Sequence, residues 1–129
     1  MIQGNTQNNA GRVDHIEQMF RTFIDADDSL IYLKDSSLRY VFVNKAVERF
    51  YNRAADAIVN QDDFAISDAS FAAVRRDSDL KVIEQQSLVV GEVNWSDRVY
   101  RTRKFPVQMP DGSTGVGAYI RDVTEEYNP

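Results

Sequence analysis

Cysteine is absent from this sequence, and histidine occurs once, at His15. Without cysteine the chain can form no disulfide, no thiolate metal site and no cysteine nucleophile. A single imidazole cannot supply a multi-histidine metal site, so we expect no bound metal. Apolar runs long enough to cross a bilayer are also missing. The sequence therefore excludes thiol chemistry, multi-histidine metal chemistry and a membrane-spanning segment.

Positive charge is in shorter supply than negative charge, with 15 Lys and Arg residues against 20 Asp and Glu residues. Because the two signs are interspersed, the pattern disfavours a nucleic-acid-binding surface. The 129 residues have room for one domain with one hydrophobic core. The first residues lack the basic-then-apolar pattern of an export signal, so nothing in them directs export.

The N-terminal region divides into two parts. Residues 1–11 are polar and rich in Asn and Gln, and we predict a disordered leader there. From Arg12 onward, apolar residues recur at helical spacing and predict an amphipathic helix. The stripe can pack on the domain's own sheet or pair with the same helix of a second chain. The residues of a homodimer interface would be Val13, Ile16, Phe20 and Phe23.

The middle of the chain alternates between strand-forming and helix-forming segments. We predict strands at 30–34, 39–43 and 88–94, helices at 45–52, 54–59 and 69–86, and a loop at 60–67. Asn44 is a good N-cap for the first of these helices. On the long helix we expect four core positions, Phe71, Val74, Leu80 and Ile83. We expect four charged residues of that helix mostly in solvent, Arg75, Arg76, Asp77 and Asp79.

A hairpin closes the chain around residues 110–112, with the sequence Pro-Asp-Gly. Proline presets the first turn angle, and glycine accepts the left-handed conformation that follows, so a three-residue loop is predicted. The resulting fold class is α+β, with one five-stranded antiparallel sheet and short helices on one of its faces. The N-terminal helix then covers the other face or lies in a dimer. We expect a single domain over residues 12–126, followed by a tail, 127–129.

The phase of the closing strands decides which side chains face the interior. A tight turn at residues 96–97 places Val93 opposite Tyr100, Gly91 opposite Thr102 and Val89 opposite Lys104. It also pairs Glu92 with Arg101 on the solvated face, which is a favourable charge pair. The turn at 110–112 independently places Thr102 beside Ile120 and Lys104 beside Ala118. Both hairpins therefore turn the Lys104 amine inward.

An inward lysine needs a partner, because an unpaired buried ammonium is costly. Three partners are open: an internal carboxylate such as Asp63 or Asp79, an anionic ligand, or water at a pocket rim. Tyr100 and Thr102 offer hydrogen bonds to a small polar ligand. The adjacent carboxylates at 27–28 and 62–63 are interpreted as loop caps, and we expect no enzymatic activity.

This order of elements closely resembles the PAS sensory domains of bacterial signalling proteins, over residues from about Ser29 to Glu126. The resemblance rests on segments in the family's order and spacing, namely 31–35 (IYLKD), 39–46 (RYVFVNKA), 63–64 (DF), 79–83 (DLKVI), 104–107 (KFPV), 111–112 (DG) and 122–124 (DVT). Asn60 stands where the family usually has glycine. The resemblance implies a cytoplasmic module that transduces signals through an attached output domain, such as a histidine kinase or a diguanylate cyclase of cyclic-di-GMP signalling. The tail at 127–129 would then be cut before that output domain. A ligand-free dimerisation module is the alternative.

The resemblance also implies the site. PAS-like domains bind ligands between the inner sheet face and the short helices, which gives a ligand-binding set of Tyr32, Lys34, Phe50, Phe64, Tyr100, Thr102, Lys104, Ala118 and Ile120. Flavin-binding relatives favour the phase with Tyr32 inside, whereas simple periodicity would equally place Ile31 and Leu33 there. Asp122 and Thr124 would form the signal exit. In this family the photoactive flavin needs a cysteine and the haem needs a histidine on the long helix, so we expect neither cofactor. The expected ligand is an unidentified small molecule, and the inward Lys104 favours a small organic anion.

Overall fold

The computed structural model describes the backbone of residues 2–127 and the side chains of residues 14–127. In chain order its elements are α1 (Ile2–Ala26), β1 (Leu30–Lys34), β2 (Tyr40–Val43), α2 (Lys45–Tyr51), a 3-10 turn (Ala55–Ala57), α3 (Asp63–Ile66), α4 (Ala69–Gln85), β3 (Val89–Trp95), β4 (Arg98–Gln108), β5 (Thr114–Asp122) and α5 (Thr124–Tyr127). The strands form one antiparallel sheet in the order β2-β1-β5-β4-β3. This confirms the predicted fold class.

Side-chain caps start the helices that lie on the inner face of the sheet. The Asn44 side chain accepts the Val47 N–H at the start of α2, and Asp68 accepts the Phe71 N–H at the start of α4. These bonds satisfy donors that a helix start leaves unpaired. Asp62 caps α3 in the same way, so the segment predicted as a loop contains a short helix. Asn60 adopts a positive φ of 71°, which asparagine tolerates, and the local turn survives without glycine.

The predicted registers of both closing hairpins are confirmed. Val93 pairs with Tyr100, Gly91 with Thr102 and Val89 with Lys104 across β3 and β4. Across β4 and β5, Thr102 pairs with Ile120 and Lys104 with Ala118. Gly112 has a φ of 86°, as the three-residue turn requires. On β1 the open question resolves in favour of Tyr32 and Lys34, which are fully buried.

Helix α1 differs from the prediction at its start, because residues 2–11 continue the helix instead of forming a disordered leader. No proline interrupts this segment, so a helix established in the amphipathic stretch can extend backwards through it. Near its end α1 is attached to the domain: Ile24 is buried, and the Asn44 amide donates to its carbonyl. Phe20 meets Phe42 of β2 with ring centroids 5.3 Å apart.

Helix α4 corrects a second prediction. Arg75 and Asp79 are buried on its inner face, where solvent exposure was expected, and Val74 is exposed, where a core position was expected. Phe71 is buried as predicted, and Leu80 and Ile83 pack against a small apolar cluster with Val82. Within residues 2–127, no helix combines the length and hydropathy that crossing a lipid bilayer demands.

Candidate functional site

A cavity lies between the inner face of β3, β4 and β5 and the helices α2 and α4. Its wall consists of Phe50, Phe71, Val74, Arg75, Ser78, Val93, Trp95, Tyr100, Thr102, Lys104 and Ile120. Side chains fill most of the space, and the free volume is about 30 Å³. That volume accommodates roughly one water molecule.

A buried ion cluster lies against the cavity. The Lys104 Nζ donates to Asp79 Oδ1 at 2.7 Å, and Lys34 bridges Asp79 Oδ2 and Asp63 Oδ2. The Tyr32 hydroxyl also donates to Asp79 Oδ1, at 3.0 Å. Three donors therefore converge on the two oxygens of Asp79. Of the alternatives for Lys104, the structure shows an internal carboxylate.

Asp63 anchors the other side of this cluster. Besides Lys34, its carboxylate accepts hydrogen bonds from the hydroxyls of Tyr40 and Tyr51. Within the described side chains, no fully buried polar atom lacks a hydrogen-bond partner. The cluster thus avoids the large cost of an unpaired buried charge.

Burial and neighbouring charges shift the pKa values of this cluster. Burial alone would raise the pKa of Asp79, but Lys104 and Lys34 outweigh it and lower that pKa to about 2. Burial lowers the pKa of Lys104 to about 8, with Arg75 and Lys34 acting in the same direction against Asp79. Burial also raises the pKa of the Tyr51 hydroxyl, against the opposing effect of Arg75. Near neutral pH Asp79 is therefore ionised and Lys104 is mostly protonated, with its pKa about one unit above neutrality.

Arg75 is the third buried cation. Its guanidinium is held by aromatic rings, with the carbon atom 4.7 Å from the Phe71 centroid and 5.6 Å from those of Phe50 and Tyr32. One of its N–H groups donates to the Tyr51 hydroxyl at 3.0 Å. The same side chain lines the cavity, so a cationic group faces the apolar interior beside Lys104.

The predicted ligand-binding residues fall into three groups. Five of them line the cavity: Phe50, Tyr100, Thr102, Lys104 and Ile120. Three more, Tyr32, Lys34 and Ala118, are buried behind it, in the ion cluster and the adjoining apolar core. Phe64 lies outside, because Asp63 and Ile66 occupy the inward positions of the four-residue helix α3. Phe64 is 44% exposed and stacks under the Arg76 guanidinium.

Sequence reasoning missed the contribution of α4 to the cavity. Arg75 and Ser78 recur with Phe71, Asp79 and Val82 at spacings of three or four residues, which places all five on one side of a helix. Three of the five are polar, and this hides the stripe from any search for apolar periodicity. The helical spacing is visible in the sequence, but recognising the stripe requires treating charged residues as candidates for buried positions.

The predicted exit residues, Asp122 and Thr124, are hydrogen-bonded to each other at the end of β5. Asp122 accepts hydrogen bonds from the backbone N–H and the hydroxyl of Thr124, at 3.0 and 2.6 Å. The Val99 N–H donates to Thr124 Oγ1, and Arg98 forms an ion pair with Asp122 at 2.8 Å. The hydrogen bond from Arg98, together with those from Thr124, lowers the pKa of Asp122 to about 2, against the opposing effect of burial.

Contacts on the outer face of the sheet connect β3, β4 and β5 to the C-terminal helix α5. The Tyr127 hydroxyl contacts both carboxylate oxygens of Glu92 on β3, and Arg101 on β4 pairs with Glu92 and Glu126. Arg121 on β5 also pairs with Glu126. Strands whose inner faces line the cavity are thus tied through their outer faces to α5.

The predicted dimer residues lie on α1. Ile16, Phe20 and Phe23 are exposed, and Phe23 is 81% accessible. The side chain of Val13 lies outside the described residues, as do residues 128 and 129 of the predicted tail.

The family model described as PAS fold matches residues 24–128, so the chain belongs to the PAS family. Among curated proteins it is similar to the methanogenesis regulatory histidine kinase FilI of Methanothrix harundinacea, with 31% identity over 115 residues. That match spans 84% of this chain and 13% of the relative. The chain is thus related to a part of a histidine kinase, and it accounts for a small fraction of that protein's length.

Solved structures confirm the fold. A domain of an HTR-like protein from Haloarcula marismortui superposes with a TM-score of 0.68 at 20% identity, covering 76% of this chain and 100% of that one. The PAS domain of BvgS from Bordetella pertussis gives a TM-score of 0.67 at 22% identity, covering 89% and 90% of the two chains.

Proposed function

We propose that this domain is the sensory input module of a larger signalling protein, which binds a small organic anion in the cavity and relays its occupancy to an output domain. The relationship to a histidine kinase supports an output of that kind. A diguanylate cyclase output is the alternative on the output side. We assign the module no catalytic activity of its own and, from the family resemblance, a cytoplasmic location.

The single observation that carries ligand binding is the composition of the cavity wall. Aromatic and aliphatic side chains from two helices and three strands enclose it, while Arg75, Lys104, Thr102 and Ser78 supply its polar groups. Small-molecule sites have this pattern of an apolar wall with a few placed polar groups. Both cationic groups are buried, so electrostatic attraction for an anion is weakly screened there.

The relay is carried by the β3–β4 hairpin. Val93, Trp95 and Tyr100 line the cavity, while Glu92 and Arg101 of the same strands hold α5 on the opposite face. A ligand that shifts the hairpin would change those outer contacts and so favour one arrangement of α5 over another. A two-state relay requires such a difference between its two states.

A thermal-shift screen of small organic acids on the intact chain tests binding. We expect at least one acid to raise Tm, since a ligand that binds the native state stabilises it. Lys104→Met should reduce that shift, and Lys81→Met, on the exposed side of α4, should not. Equal Tm shifts in the two variants would contradict the assignment of acid binding to this cavity.

A second function, that of a ligand-free dimerisation module, is favoured by the small free volume of about 30 Å³. In that case the buried ion cluster specifies the packing of the core, and the exposed apolar side of α1 is the dimer interface. No acid would then change Tm, while the chain would still form dimers.

A further inference from the structure

The charges buried in this domain do not balance. Among the described residues, the buried Lys, Arg, Asp and Glu side chains are Lys34, Arg75, Lys104, Asp63 and Asp79. Three cations thus face two carboxylates, which leaves one excess positive charge inside the fold. Ion pairs occupy Lys34 and Lys104, so the excess resides at Arg75.

Arg75 retains hydrogen-bonding capacity toward the cavity. A guanidinium carries five N–H donors in a planar fork that matches a carboxylate in two parallel bonds. The described residues engage one of them, through the Tyr51 hydroxyl. The surrounding rings restrain the guanidinium by cation–π contacts, which fix its plane without using the remaining donors.

The rest of the wall is suited to a flat apolar body. Phe50, Phe71, Trp95 and Tyr100 surround the space, and the ring pairs Phe50–Tyr100 and Phe71–Trp95 meet edge to face at 6.1 and 5.1 Å. Aromatic groups favour such edge-to-face and offset contacts over plain aliphatic packing. The Thr102 and Ser78 side chains add polar atoms at the same wall.

Trp95 is the side chain whose displacement would make room. It is half-buried at the end of β3, which is the edge strand of the sheet, and it closes the cavity by packing on Phe71. The following turn residues, Ser96 and Asp97, both have positive φ, at 50° and 61°. Moving an edge-strand terminus breaks fewer ladder bonds than moving any central strand.

We propose that the cavity takes one small aromatic monocarboxylate, with its carboxylate on the Arg75 fork and its ring in the place of the Trp95 side chain. The inference rests on the proposed function and specifies its ligand class. One negative charge neutralises the excess positive charge, whereas a dianion reverses it and a neutral amide leaves it uncompensated.

Trp95 is the only tryptophan of the chain, so its fluorescence reports on this site alone. The experiment titrates the intact chain with benzoate, benzamide and phthalate while recording Trp95 emission. We expect benzoate to change the emission in a saturable way and to bind roughly 10- to 100-fold more tightly than benzamide or phthalate, as a charged bidentate contact implies. Equal affinity for benzoate and benzamide would overturn the proposal.

Two matched variants test whether Arg75 supplies the positive charge that binds the carboxylate. Arg75→Gln should abolish the preference for benzoate, while Arg76→Gln, at the exposed neighbouring position, should preserve it. Persistence of the preference in Arg75→Gln contradicts the assignment. If that variant fails to fold, the benzoate–benzamide comparison on the unaltered chain still decides the matter.

The two proposals fail separately. Binding of benzamide or of a dicarboxylate with the same affinity as benzoate removes the monocarboxylate class but keeps a ligand-binding sensor. The absence of any Tm shift across the whole acid screen removes the sensor function itself.

Discussion

At the scale of single residues, Asp79 holds the interior charges together. It accepts from Lys34, Lys104 and Tyr32, and it is fully buried. Asp79→Asn removes the charge that both lysines share, and an uncompensated buried charge costs about 3–5 kcal/mol of unfolding free energy. Urea denaturation measures this loss. Asp77→Asn, an exposed position on the same helix, serves as the control and should change stability by less than about 0.5 kcal/mol. Similar losses in both variants would contradict this role.

We expect Lys104 to make the proposed anion binding depend on pH. The groups facing it are Asp79 and Arg75 of α4 and Lys34 and Tyr32 of β1. The pKa of Lys104 is about 8, so its charge is present below that pH and lost above it, while Asp79, with a pKa of about 2, stays ionised. Benzoate affinity should therefore fall from pH 7 to pH 9, by up to about tenfold, the factor by which the protonated fraction of Lys104 decreases.

Calorimetric titration at several pH values measures this dependence. In Lys104→Met the affinity should be weaker at pH 7 and flat across the same range. A pH profile that is unchanged in the variant would assign the titration to another group.

The inward position of Lys104 was predictable because strand residues alternate with a strict period of two. The sequence left its partner open between an internal carboxylate such as Asp63 or Asp79, an anionic ligand and water, because the rotation of α4 about its axis depends on packing with the sheet. Arg75 was placed in solvent for the same reason: burial of an arginine depends on aromatic neighbours, Phe50 and Phe71, that come together only in the folded chain.

At the scale of elements, the hydrogen bonds that Thr124 forms with Asp122 and Val99 hold the start of α5 against the sheet. Asp122→Ala removes the acceptor for both Thr124 donors and the partner of Arg98. Amides of residues 124–127 should then exchange hydrogen faster, with little change in the rest of the fold, and a full-length parent should lose its coupling to output.

Hydrogen-exchange mass spectrometry checks the first part of this prediction. Asp111→Ala is a matched control, because Asp111 makes the same short-range bonds to Ser113 in the turn at the other end of β5. Unchanged exchange at 124–127 in Asp122→Ala would show that α5 is held by other contacts.

Turns and capping residues explain why most elements were predicted. The turn at Pro110–Gly112 and the cap at Asn44 act over a few neighbouring residues, so local sequence determines them. Helix α3 was missed because four residues carry too little periodicity to separate a helix from a loop. The extent of α1 was missed because polar composition alone does not distinguish a disordered segment from an exposed helix.

At the scale of the whole molecule, the exposed apolar side of α1 points to pairing with a second chain. Ile16, Met19 and Phe23 lie together on one side of the helix and are all exposed. Large apolar patches of this type mark interaction surfaces. Phe23→Asp should shift the chain from dimer to monomer in light scattering coupled to size exclusion. Ser70→Asp adds the same charge at an exposed position of α4, outside α1, and should leave the dimer intact. A monomeric wild-type chain would contradict the assignment.

The coupling of the cavity to α5 is tested most directly by a ¹H–¹⁵N NMR titration of the whole chain with benzoate, or with the strongest acid from the screen. The account predicts that the Trp95 indole N–H and the Thr124 amide shift together and saturate at the same ligand concentration. A shift at Trp95 with a stationary Thr124 would show binding without relay, and that result would contradict the sensory function proposed for this domain.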